Sequence, residues 1–486
     1  MNDPREGRAI AQNSPFATKV ARPAGGAQDG EQALYEARRK IYPRSVQGWF
    51  AGWRWATVWL TQIVFYGLPW LSWNDRQAVL FDLAARKFYI LGSVFWPQDF
   101  IYLTALLIIA ALALFLFTSV GGRLWCGYAC PQTVYTEMFM WIERKIEGGR
   151  AQRMLLDEAP MSPRKLGIKA AKHAAWIAVA LWTGFTFVGY FTPIKELWGA
   201  VIALATGPWE TFWILFYGFA TYGNAGWMRE QVCKYMCPYA RFQSAMFDRD
   251  TMIVTYDAAR GEPRGPRSRK VERAAIPLGD CVNCGMCVQV CPTGIDIRNG
   301  LQYECIGCAA CIDACDKVMG KFGYPEGLIR YSTENALANG WDFRMMVRRV
   351  LRTRTLIYTG ILVAVTTVLF GALALRVPLK VDIVRDRASL AREVEGGRIE
   401  NVSRIQLKNT QESPQRYRIA ASGLPGIGIA SEAEVEVPAA TTRQVPLRVQ
   451  IGADAAAKGT HRIEVEVTAV ADERITAREQ TVFLVR

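Results

Sequence analysis

Five long apolar stretches, two dense runs of cysteine and a C-terminal tract of alternating apolar and polar residues predict three parts. These are a polytopic α-helical membrane domain with about five transmembrane helices, a cytoplasmic cysteine-rich module and a C-terminal β-sandwich. A chain of 486 residues has room for them. The net charge of +14 and pI near 9.3 suit nucleic acid or a membrane surface. Sixteen Trp and an aromatic share of 12% decide for membrane lipid and against nucleic acid, because Trp and Tyr collect at the two bilayer interfaces. All twelve cysteines lie at or before Cys315 in metal-ligand spacings, as expected for thiols kept reduced on a cytoplasmic side. Residues 1–41 lack the apolar core of a cleavable signal and read as a disordered cytoplasmic tail.

A bilayer span needs about 20 apolar residues. Trp53–Trp73, Ile101–Val120, Ala174–Thr192, Trp209–Trp227 and Thr355–Leu375 qualify, the fourth least cleanly because it carries Glu210 and three glycines. Four of them fall in residues 42–256, the membrane domain, and the last in 355–375. The piece Leu197–Pro208 is too short to span. Lys and Arg number nine in residues 1–54, nine in 123–173 and nineteen in 226–354, against three in 72–100 and one in 193–208. The positive-inside rule places the first three segments in the cytoplasm and leaves residues 376–486 outside.

The outer tail alternates with period two in LKVDIV, RYRIAAS, EVEVP, VPLRVQI, HRIEVEVTAV and TVFLVR, broken by Gly, Pro and Asn about every ten residues. That pattern predicts an immunoglobulin-like sandwich over 376–486, without a cysteine pair to staple it. GLPGIG at Gly423–Gly428 reads as a turn, since no strand–loop–helix unit surrounds it. Residues 257–277 form a basic, Gly/Pro-rich linker, and residues 326–354 a cytoplasmic connector.

The runs CVNCGMCVQVCP (Cys281–Pro292) and CIGCAACIDAC (Cys305–Cys315) place eight cysteines in thirty-five positions. Both read C-x2-C-x2-C-x3-C, the bacterial ferredoxin pattern for holding clusters with thiolates, so 278–325 is expected to be a module carrying two [4Fe–4S] clusters. In two-cluster ferredoxins the fourth cysteine of each run serves the other cluster. Cys281, Cys284, Cys287 and Cys315 then hold one cluster, and Cys305, Cys308, Cys311 and Cys291 the second. Asp316 stands where a second proline is usual. Zinc also takes four thiolates, but zinc modules usually set two C-x2-C pairs further apart.

Two further pairs, Cys126/Cys130 and Cys233/Cys237, each read C-x3-C-P, lie just beyond a spanning stretch and fall at the cytoplasmic face. Positions i and i+4 share a helix side, and the following Pro131 and Pro238 suit the first turn of a new helix. If the pairs meet, four thiolates at the membrane edge suit Cu(I), another cluster or dithiol–disulfide exchange; buried structural cysteines are the bland alternative. After the first pair, Val134, Met138, Ile142 and Tyr135, Phe139, Ile146 form an apolar stripe expected along the membrane surface. His173 and His461, the only histidines, read as structural, and Glu210 as solvated or as a proton group. No P-loop or Rossmann fingerprint is present, so no nucleotide-bound electron source is evident.

LWCGYACPQTVYTE, VCKYMCPYARFQSAMFD, the double cysteine run, a final helix and a strand-rich tail together resemble the FixG/CcoG family over about Tyr42 to the C-terminus. These are membrane polyferredoxins and accessory proteins of cbb-type cytochrome c oxidase assembly. The resemblance implies a cupric reductase of the bacterial inner membrane, with copper ions as substrate or bound metal. It further implies two [4Fe–4S] clusters on the eight clustered cysteines, a copper or redox role for Cys126, Cys130, Cys233 and Cys237, and a periplasmic C-terminal domain. The partners implied are an electron donor, copper transporters or oxidase assembly factors. A quinol-linked membrane ferredoxin serving another redox partner and a non-catalytic assembly scaffold are the competing expectations.

Overall fold

The computed structural model describes residues 40–269, 277–385, 391–452 and 454–485, leaving aside the side chains of Arg241 and Ser244. Most of the expected tail (1–41) and part of the expected linker (257–277) lie outside the described residues. The described residues form two compact units, one from those within 40–68, 108–188 and 199–363, the other from those within 69–107, 189–198 and 364–485.

The first unit carries the cysteines. Helix α1 (Trp49–Gly67) buries Ala51, Arg54, Val58 and Gln62 at helical spacing, so one stripe faces protein while its tryptophans face outward. Helix α2 (Phe100–Gly121) leads into the short α3 (Leu124–Tyr128) and then α4 (Pro131–Ile146). Helix α5 (Pro163–Val188) packs on α6 (Pro208–Thr221) so closely that Gly184 admits no Cβ, which would stand 2.2 Å from the Ile214 carbonyl oxygen. Two π-helical turns, Tyr222–Met228 and Val232–Met236, connect α6 to α7 (Pro238–Met246).

The cysteine module holds α8 (Met286–Val290) and α9 (Ala310–Phe322). Its core is completed from outside the module: β1 (Ile253–Tyr256) pairs antiparallel with β2 (Ile329–Ser332), and Val254, Tyr256 and Ile329 pack on Cys281 and Cys287. Residues 329–332 of the expected connector are thus part of the module. The described half of the expected linker is held as well, with Arg260 on Asp280 at 2.6 Å. A tract rich in Gly and Pro folds here because its charges find partners that local pattern does not reveal.

Two of the five apolar stretches form helices long and apolar enough to cross a membrane, Pro97–Gly121 and α10 (Thr353–Ala374), and the apolar faces of both are almost wholly exposed. The other three are helical but differ from uniform spans. Helix α1 carries Arg54 and Gln62, α5 opens on Arg164, Lys165, Lys169 and Lys172, and α6 has only 14 residues before the π-helical turn. A second correction concerns α4. Phe139 and Ile142 pack on Trp176, Ala180 and Ala225, so its apolar stripe faces protein rather than a membrane surface. The reason is Glu143, which takes ion pairs from Arg153 at 3.0 Å and Arg229 at 2.7 Å and so draws the same face inward.

In the second unit, β3 (Leu379–Arg385), β4 (Arg392–Val394), β5 (Arg398–Asn409), β6 (Gln415–Ser422), β7 (Gly428–Ile429), β8 (Glu434–Val437), β9 (Thr442–Ile451), β10 (Gly459–Ala469) and β11 (Thr476–Val485) form two sheets. Their orders are β7-β9-β5-β3, with β4 beside β5, and β8-β6-β10-β11. Alternate residues such as Ile405, Leu407, Val465 and Val467 fill the space between them, as the period-two pattern demands. Three strands, 79–82, 87–90 and 93–95, belong to this unit, where Asp99 holds Arg376 at 2.8 Å.

Candidate metal centre

Both cysteine runs fold into the same loop. In the first, Asn283 and Gly285 take positive φ (50° and 65°); in the second, Gly307 and Ala309 do (68° and 58°). Left-handed residues at equivalent places curl the backbone around a concavity and turn N–H groups toward it. Cys281, Cys284, Cys287 and Cys315 line one cavity, walled by Tyr256, Leu328 and Ile329. Cys291, Cys305, Cys308 and Cys311 line another, walled by Val254, Ile295 and Ile306. Each fourth cysteine thus lies in the cavity of the opposite run, as the crossing expected from spacing requires, and Cys287 borders the second cavity as well as the first. Among the described residues no three His, Cys, Asp or Glu side chains are close enough to hold a single metal ion; by donor chemistry, four cysteine sulfurs in an apolar wall are a set that suits an iron–sulfur cluster.

Burial pushes the Cys287 thiol up to about 11 and those of Cys305 and Cys315 up to about 12. Loading metal must therefore release protons from thiols that are neutral at pH 7. Pro292 ends the first run, and α8 stops after five residues. Asp316 has no such ring, so α9 continues to Phe322, and its carboxylate accepts the Gly327 N–H at 2.9 Å.

The two C-x3-C-P segments share a backbone as well. The Cys130 N–H donates to the Trp125 carbonyl at 3.0 Å and the Cys237 N–H to that of Val232 at 2.8 Å, a five-residue closure in each. Cys130 and Cys237 then cap α4 and α7, with proline at the first helical position as expected. The two pairs come within electrostatic range of each other, although among the described residues no three of these thiols are close enough to hold one metal ion. Burial raises Cys126 to about 11, assisted by Cys130 and Cys237, and raises Cys233 to about 12, assisted by Cys130, Cys126 and Cys237. The Cys126 thiol also donates to Gln243 at 3.3 Å.

This four-thiol group adjoins the second cavity. A Cβ on Gly127 would stand 2.8 Å from the Cys308 backbone N and Cα, so glycine alone permits the contact. Cys126 and Cys233 pack in one cluster with Cys308 and Cys311. Sequence reasoning had not singled out Gly127, Arg54 or Arg123. Arg123 donates to the carbonyls of Tyr303, Cys305 and Ala240. A glycine between two motif cysteines was the available signal for the first; the arginines looked like ordinary inside charge. His173 bonds Tyr222 at 2.9 Å and stacks on Trp227, and Glu210 accepts the Gly207 N–H at 2.6 Å, so each has a local structural task.

Comparison with known proteins agrees with this arrangement. Residues 103–148 match a family model described as a 4Fe-4S binding domain, 228–334 one described as a 4Fe-4S dicluster domain, and 369–486 one described as an IG-like fold at the C-terminal of FixG. The chain is 40% identical over 424 residues to the nitrogen fixation protein FixG of Rhizobium meliloti (strain 1021), covering 81% of each. The chain belongs to the FixG family. Two further FixG relatives from Cereibacter sphaeroides are Protein RdxB, 40% identical with 90% of this chain and 93% of the relative covered, and Protein RdxA, 38% identical with 87% and 91% covered. As a FixG protein with clustered cysteines, the chain is an iron–sulfur protein with a redox role, and its two exposed apolar helices associate it with a membrane.

Proposed function

We propose that the chain is a membrane-bound electron-transfer protein that reduces Cu(II) to Cu(I) for assembly of a cbb-type cytochrome c oxidase. Cys281, Cys284, Cys287 and Cys315 hold one [4Fe–4S] cluster, and Cys291, Cys305, Cys308 and Cys311 the other; such clusters supply one-electron redox chemistry when bound. The observation that carries this reading is the Gly127–Cys308 backbone contact, which sets Cys126 and Cys233 beside the second set of ligands. Soft thiolates favour Cu(I) over Cu(II), so Cys126, Cys130, Cys233 and Cys237 draw the reduction forward. Met236, a soft thioether 56% exposed beside Cys237, lines an open pocket with Phe242 and offers an approach for the ion. Copper transporters or oxidase assembly factors receive the product, and a cytoplasmic one-electron donor supplies the reductant.

Topology belongs to the same proposal. Five helices span the inner membrane, with N-terminus and clusters cytoplasmic and the sandwich periplasmic. Lipid-facing side chains support this on the three less uniform helices, such as Trp59 and Ile63 of α1, Ile177 of α5 and Phe219 of α6, each at least 45% exposed. The segments poor in Lys and Arg, 72–100 and the first part of 193–208, belong to the same compact unit as the sandwich.

A second reading is favoured by the 4Fe-4S description of the model matching 103–148, which contains Cys126 and Cys130. In it the four edge thiolates hold a third cluster. One experiment separates the two. Pre-reduced protein, freed of reductant, is mixed anaerobically with Cu(II), and cluster reoxidation and Cu(I) are followed. Replacing Cys126, Cys130, Cys233 and Cys237 by Ser should slow reoxidation at least about tenfold while about eight irons remain. Undiminished turnover removes the copper site, and a fall from about twelve irons to about eight establishes the third cluster.

A further inference from the structure

Arg298 lies in the wall of the first cluster cavity, whereas Arg54 lies in an adjoining cavity that shares Cys308 with the second, and the two are treated differently. Arg298 lines the cavity of Cys281, Cys284, Cys287 and Cys315, but its guanidinium is taken up by the Asp296 carboxylate at 2.7 and 2.8 Å and by Asn283 at 2.7 Å. Its charge is neutralised beside the thiols. Arg54 lines a cavity with Cys308, Cys233, Pro292 and Ile306, is 8% exposed, and its buried Nε meets no hydrogen-bond acceptor. Of the charges acting on it, Cys308 is the foremost, ahead of Glu137, Tyr128 and Asp313; Arg54 is likewise the foremost charge acting on Cys308.

The carboxylates in range are engaged elsewhere. Asp313 accepts the N–H groups of Phe50 and Ala51 at 3.2 and 2.7 Å, and Glu137 faces Arg144 at 3.8 Å. A buried guanidinium costs several kcal/mol unless opposite charge compensates it. Glu137 and the buried Glu230 line the same cavity, and the thiolate set around Cys308 adds its charge to theirs. Reduction adds an electron there, and a fixed positive charge in a poorly polarisable interior stabilises the added charge. Net charge near a cluster is one of the established determinants of its potential.

We propose that Arg54 is a positioning residue that raises the reduction potential of the group held by Cys291, Cys305, Cys308 and Cys311 above that of its neighbour. The electron then runs downhill from the cavity with exposed Cys284 toward the one that adjoins Cys126 and Cys233. This inference rests on the cluster assignment above.

The test is potentiometry of the full-length protein by electron paramagnetic resonance, the first cluster being identified as the signal lost in Cys284→Ser. Arg54→Gln should lower the reduced-to-oxidised ratio of the second cluster about tenfold at fixed poise, about 59 mV for a one-electron couple. Arg54→Lys should stay within about threefold of the unsubstituted protein, because the charge survives. An unmoved second potential in Arg54→Gln with full iron overturns the role. Should that variant fail to assemble, Arg54→Met, which keeps an unbranched apolar stem without the charge, carries the test: the same potential should fall likewise, and no fall overturns the proposal. A chain isolated folded without iron overturns the cluster assignment instead.

Discussion

The two cysteine loops have one backbone and different surroundings. Both bend at the same two left-handed positions. Around the first, Cys284 is exposed, the helix is cut short before Pro292 and the arginine is paired with Asp296. Around the second, Cys308 is buried, α9 runs on past Asp316 and the nearby arginine, Arg54, shares its cavity with Cys308, Cys233 and two glutamates rather than forming a close ion pair. A repeated motif has acquired an outer face and an inner face. The inner one is pressed on a second thiol group through Gly127.

Substitutions can erase or sharpen that contrast. The largest effect is expected from Asp316→Pro, which would give the second run the ending of the first. Position 316 lies inside α9, so lost hydrogen bonding and a ring clash should cost about 3 kcal/mol or more, measured by thermal unfolding. Next comes Gly127→Ala. Its Cβ meets backbone rather than a flexible side chain, and overpacking should cost about 1–3 kcal/mol, with iron lost first from the second cluster. An unchanged melting point would mean that the two segments do not touch.

Asp313→Ala removes the carboxylate that holds the first N–H groups of α1. Loss of a cap of this kind costs about 1 kcal/mol, and Asp313→Asn should recover part of it. The smallest effect is expected from Asp296→Asn, which frees the Arg298 charge. The first cluster should then rise in potential by less than a tenfold change in ratio, narrowing the gap between the two sites. A fall would contradict the charge argument.

Much of the local architecture was legible in the chain. Every alternating segment of the tail became a strand, because a sandwich strand buries every second residue and writes that period into its composition. Cysteine spacing also anticipated which cysteines lie together: Cys315 lines a cavity with Cys281, Cys284 and Cys287, and Cys291 one with Cys305, Cys308 and Cys311. Proline after each C-x3-C pair foretold a helix start, and both starts are present. Less visible was the inward face of α4. Its apolar stripe would suit lipid or protein equally, and Glu143 was needed to decide between them. Helix α6 was legible in part: the expected stretch is helical throughout, but its change from fourteen α-helical residues to a π-helical turn leaves no mark in the sequence.

The sequence by itself determined which residues can ligate metal, which strands alternate and which segments are rich in Lys and Arg, because each depends on neighbours a few positions away. Only the tertiary structure decided that the Cys126/Cys130 and Cys233/Cys237 pairs come within electrostatic range, that Gly127 lies on Cys308 and that Arg54 is buried in a cavity it shares with Cys308 and Cys233. Those are contacts between distant parts of the chain. Their energies depend on burial and on where opposite charges come to rest, and neither quantity exists until the helices have packed.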